Sequence, residues 1–178
     1  MTPKSTALAI SLTILAACSH TYDVRSSERP ADGPLLQRGA SILVGVPLDG
    51  QDGHYTYEGS GQLTSEAIVV ALFPFTDEVE AAATPETLEA YVARAREAGI
   101  GYVVFPEIFV WKDRNTRRWG LPDLIEIQLT LADAATGETL EITAISGSSR
   151  IEWSWNDKPQ DLLPVPLASY ASSLFEAK

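Results

Sequence analysis

Thiols, imidazoles and basic side chains are all scarce in this sequence of 178 residues. Cys18 is the one cysteine, so no internal disulfide can form. The two histidines, His20 and His54, sit apart, one in a polar N-terminal stretch and one in a glycine-rich loop. Once Cys18 is taken up by the modification argued below, no free thiol remains, so a Cys-His nucleophile pair is excluded and no zinc site is expected. Thirteen Lys and Arg face 24 Asp and Glu, a formal net charge of -11. Such a chain repels nucleic acid and anionic headgroups, so nucleic acid is not an expected partner and a general basic patch cannot hold the protein on a membrane. The apolar run from Ala7 to Ala17 falls well short of the roughly 20 residues needed to cross a bilayer.

That short run has another use. Lys4 precedes it as a positive n-region, and about eleven apolar residues suit a signal-peptide core. It ends Leu15-Ala16-Ala17-Cys18. The sequence resembles the lipobox of bacterial lipoproteins, in which an aliphatic residue and two small ones precede the cysteine that becomes the acylated N-terminus. The resemblance implies cleavage after Ala17, lipid attachment at Cys18 and a membrane held as partner through the acyl chains. Several chains bind stably where one binds marginally. Ser19, where an aspartate would favour inner-membrane retention in such lipoproteins, points to the periplasmic face of the outer membrane. Residues 1–17 are therefore read as the leader, 18–38 as the lipidated cysteine and a flexible polar tether, and 39–178 as one domain.

Periodicity within that domain predicts α/β (α+β) order β-α-β-α-β-β-β-α, with a mixed sheet of about five strands in a single two-layer domain. Ala40 to Val46 reads as a buried strand stopped by Pro47. Leu63 to Phe73 has helical spacing, and Phe75 to Glu80 carries the alternating charges of an edge strand. Thr84, Pro85 and Glu86 form a helix-start signature, and Gly99 is the stop. Tyr102 to Trp111, Ile125 to Leu131 and Thr139 to Ser146 read as three strands, and Leu162 to Phe175 as a last helix. Right-handed crossovers are expected to put the first helices on one face, so helices lie mainly on that side.

If Trp111 and Leu124 close the hairpin around residues 112–123, Val110 lies opposite Ile125 and Ile108 opposite Ile127. Phe105, Phe109 and Trp111 then share the other face with Glu126, Gln128 and Thr130. A face mixing aromatics and polar groups suits a protein partner, unless the segment holding Trp153 and Trp155 or the last helix covers it. The hairpin tip, Lys112 to Trp119, is the one basic cluster of the chain. Phe109, Trp111, Arg114, Arg117, Arg118 and Trp119 are the candidate contact residues; the competing reading of the tip is a solvated loop.

No catalytic set and no cofactor motif is recognised. Gly59-Ser60-Gly61-Gln62-Leu63-Thr64 lacks the third glycine of a dinucleotide fingerprint, leaving only a helix N-terminus for a small anion. Asp49 and Asp52 lack the spacing of a calcium loop, and Ser60 has no nucleophile elbow around it. Glu107 and Asp113 could form a carboxylate pair, but Glu107 is expected on the open sheet face.

From Gly59 onward the chain resembles an uncharacterised bacterial lipoprotein family, domain of unknown function 4823. The stretches that carry the likeness are Gly59-Ser60-Gly61-Gln62, Tyr102 to Ile108, Trp111-Lys112-Asp113-Arg114 and Pro159 to Pro164. The family brings no established activity. A looser architectural likeness runs to the curli secretion lipoprotein, the TolB N-terminal domain and the lipoprotein activator of penicillin-binding proteins, and implies a small α/β domain used for assembly or protein contact. The expectation is a non-enzymatic envelope module that binds an envelope protein. The alternatives are a homo-oligomeric assembly or secretion subunit, and a small-ligand binder or enzyme.

Overall fold

The computed structural model describes residues 20–27, 35–114, 121–149 and 158–176. Three parallel strands form one half of a six-stranded sheet. β2 (Ala40–Val44) lies between β5 (Thr76–Ala81) and β6 (Tyr102–Lys112), parallel to both. An antiparallel half follows from β6 through β7 (Leu124–Asp133) and β8 (Thr139–Ser148) to β1 (Thr21–Ser26), giving the order β1-β8-β7-β6-β2-β5. A small separate hairpin, β3 (Gln51–Asp52) and β4 (Tyr55–Thr56), interrupts the loop after β2. The helices are α1 (Ser60–Leu72), α2 (Leu88–Ala98) and α3 (Pro164–Phe175).

The mixed α/β sheet, the β-α-β-α order and the acidic edge strand agree with the sequence. β5 is an edge, and Asp77, Glu78 and Glu80 on it are exposed, where they oppose pairing with another chain.

The sixth strand comes from the segment read as tether. Tyr22 and Val24 alternate with exposed Thr21, Asp23 and Arg25 and pack on the core, while Thr21 pairs with Ser148 and Ser26 with Thr143. Leu36, also in that segment, is buried, and its N–H donates to the Leu174 carbonyl.

The expectation that the first two helices share a face is corrected. β2 to β5 steps one way across the sheet, and β5 to β6 steps back past β2. Right-handed connections running in opposite directions place their helices on opposite faces. Ile42, Val44 and Val104 accordingly pack with Ile68 and Leu72 of α1 and Leu167, Tyr170 and Leu174 of α3. Leu43 and Val103 point the other way, into Tyr91, Val92 and Ala95 of α2.

The start of α2 is also displaced from Thr84. Thr87 is the cap, and its hydroxyl accepts from the Ala90 N–H at 3.3 Å. The Glu89 carboxyl is held below its ordinary value by its own backbone N–H and then by the Thr87 hydroxyl. Gly99, at φ 76, ends the helix as expected.

Candidate functional site

The two helices leave neighbouring strands toward opposite faces, and this opens a crevice at the carboxyl ends of β2 and β5. A groove of about 800 Å³ occupies it. Val46 to Asp49 form one wall, Pro85 to Glu89 the second, and Phe105 to Phe109 of β6 the third. Its lips are apolar and open: Leu48 is 77% exposed and Phe109 58%.

Tyr91 builds the groove from below. Fully buried, its hydroxyl accepts from the Val46 and Glu86 N–H groups, both at 3.0 Å, and donates to the Thr84 carbonyl at 2.8 Å. One phenol therefore ties the end of β2 to the loop before α2. Gly45 makes room for it, since a β-carbon there would lie 2.7 Å from the Tyr91 ring. The sequence signal was present: Leu88, Tyr91, Val92 and Ala95 share a helical face, and Tyr91 is its one member with a polar tip.

The N-terminus of α1 is filled by the chain itself. Asp49 accepts from the Gly61 N–H at 2.8 Å and from the Gly59 N–H at 3.1 Å, while Ser60 Oγ accepts from the Gly50 N–H at 2.8 Å. Gly59 takes φ 83, and a β-carbon on Gly61 would meet the Pro47 carbonyl oxygen at 2.3 Å. The Gly-Ser-Gly-Gln motif thus closes a loop on a helix end, and the anion position left open by the sequence is taken by the Asp49 carboxylate.

Two further carboxylates of the groove are committed in the same way. Glu86 binds Arg94 at 2.8 Å, and Arg94 lies over the Tyr91 ring. Glu107 accepts from Gln128 Nε2 at 3.3 Å on the sheet face away from α1, where it was expected. Asp113 stands at the strand end instead, its N–H donating to the Tyr57 hydroxyl. Among the described residues no group of three His, Cys, Asp or Glu could hold a metal, and no helix is long and apolar enough to cross a membrane.

Of the candidate contact residues, Phe109 lies on the groove. Trp111 does not. The pairing of Ile108 with Ile127 is as expected, but a bulge at Phe109 then sets Val110 opposite Glu126 and Trp111 opposite Ile125. One extra residue exchanges the two faces beyond it. Trp111 is 3% exposed in the core beneath Gly50 and is no partner anchor. Arg114 is at the base of the hairpin, its N–H donating to buried Asp123 at 2.7 Å. Arg117, Arg118, Trp119, Trp153 and Trp155, like Leu15, Ala16, Ala17 and Cys18, lie outside the described residues. Leu48 was missed because a single apolar residue after Pro47 carries no periodic signal.

The sequence profile of Domain of unknown function (DUF4823) matches residues 35–174. The chain belongs to the DUF4823 family. No curated protein matches this DUF4823 chain by sequence. Among solved structures, its fold is similar to the PelC dodecamer from Paraburkholderia phytofirmans, with a TM-score of 0.66, 14% identity, and 89% of this chain and 99% of that one covered. Lipoprotein GNA1162 from Neisseria meningitidis is more distant, with a TM-score of 0.43, 18% identity, and 75% and 96% covered.

Proposed function

We propose that this DUF4823 protein is a non-enzymatic module of the bacterial envelope, anchored through acylated Cys18 at the periplasmic face of the outer membrane, whose work is protein contact. One observation carries the contact role: two large apolar side chains, Leu48 and Phe109, stand exposed on a groove whose Asp49, Glu86 and Glu107 carboxylates are already bonded within the chain. Catalysis needs polar groups converging on a substrate, and these three are turned to partners inside the protein. Apolar anchors beside satisfied polar groups suit a protein surface instead. The leader and the Leu15-Ala16-Ala17-Cys18 sequence support the anchor, and Ser19 the outer membrane.

A second reading makes the partner another copy of the same chain. It is favoured by the likeness of fold to a protein that is a dodecamer. A photo-crosslinking side chain in place of Phe109, activated in the native envelope, tests both. An adduct of twice the chain mass supports self-assembly, and one discrete adduct of another mass supports a different partner. No adduct from Phe109 contradicts the groove as a contact site.

A further inference from the structure

β1 begins three residues after Cys18, so the folded sheet starts within about 10 Å of the anchor even with the chain fully extended. The register then fixes which end of the domain meets the membrane. Thr21 pairs with Ser148, Ser148 with Leu124, and Leu124 with Lys112. These four residues form one row across the sheet, roughly 15 Å wide at the usual strand spacing. The β3–β4 hairpin joins them at the same end, through Asp52 bonded to Lys112 at 3.3 Å and the Tyr57 hydroxyl bonded to Asp113.

This end exposes Tyr55 at 63% and Leu121 at 48%, beside half-buried Arg114 and Lys112, the latter paired with Asp52, and exposed Asp113. The far end carries the turn between β7 and β8, with Asp133 and exposed Glu138, where Arg96 of α2 donates to the Ala134 carbonyl at 2.9 Å, and Phe73 is exposed just before β5. Aromatic rings with a polar tip favour the headgroup layer.

Resting on the acyl-anchor reading, we propose that the sheet end bearing Tyr55 and Leu121 docks flat on the lipid surface, fixing the domain's orientation. The protein then stands on the membrane by one defined end, with no long tether. The occupant of this surface is lipid because the chain outside the described residues ends there at the lipidated cysteine.

The full-length acylated protein in vesicles of phosphatidylethanolamine and phosphatidylglycerol tests this, with a spin-labelled acyl chain as quencher. With Cys18 acylated, Leu121→Cys or Ala135→Cys supplies a single free thiol for a bimane label, one at each end of the sheet. The label at 121 is expected to be quenched at least about twofold more than that at 135, as an interfacial position requires. Adding Tyr55→Asp should lower the quenching at 121 while the circular dichroism stays unchanged. Equal weak quenching at both sites in protein that still floats with the vesicles overturns the docking and leaves the anchor standing. A chain that carries a free Cys18 thiol and does not float overturns the anchor and the docking together.

Discussion

The two faces of the sheet are finished differently. One is closed by α1 and α3 over Ile42, Val104, Trp111, Ile127, Leu129 and Ile145. Among the described residues the other is covered by α2, over the parallel strands and the end of β7, and its core is a smaller set around Tyr91, Val103 and Ala132. Beyond α2 that face carries the groove and the exposed Phe109. The contrast follows from chain direction: the reversal of strand order that sends α2 to the second face also opens the crevice beside it. The closed face holds the larger core, and the proposed contact lies on the open one.

Substitutions should break that division unequally. Trp111→Ala removes a buried indole from the closed face, and a loss of about 3–5 kcal/mol in denaturant unfolding is expected. A change near zero would mean that the bulge at Phe109 is misplaced. Gly61→Ala forces a methyl group against the Pro47 carbonyl and should cost about 1–3 kcal/mol, read as a lower melting temperature. Tyr91→Phe leaves the Val46 and Glu86 N–H groups without their acceptor, again about 1–3 kcal/mol, and should speed amide exchange at those two positions first. Thr87→Ala loses the α2 cap, worth about 1 kcal/mol. Phe109→Ser, on the open face, should change stability by no more than about 0.5 kcal/mol while weakening the adduct formed by a photo-crosslinking side chain placed at Leu48.

The closed face was the more legible one. Ile125, Ile127, Leu129 and Leu131 alternate without interruption, and with Trp111 and Leu124 taken to close the hairpin, Ile108 fell opposite Ile127 as found, though Ile125 did not keep its expected partner. The open face was less so, because two of its features depend on contacts distant in sequence. The bulge at Phe109 leaves no local mark in a run where nearly every residue is apolar or aromatic, so Val110 and Trp111 were exchanged. Helix placement depended on strand order, and residue spacing gives strand existence but not order. β1 was readable in principle, since Thr-Tyr-Asp-Val-Arg-Ser alternates. Its polar composition and the nearby Ser26-Ser27 and Pro30 suggested a tether instead. Asp49, ten residues from Gly59, is a cap that only the folded loop reveals.

The division of labour between the faces can be tested with a single thiol. With Cys18 acylated, Phe109→Cys places one reactive group on the groove, and its maleimide labelling rate can be compared in the intact envelope and after detergent solubilisation to single chains. The account predicts strong protection at position 109 in the envelope and none for Phe73→Cys, a side chain 71% exposed on the α1 side. Equal labelling of position 109 in both states would contradict it.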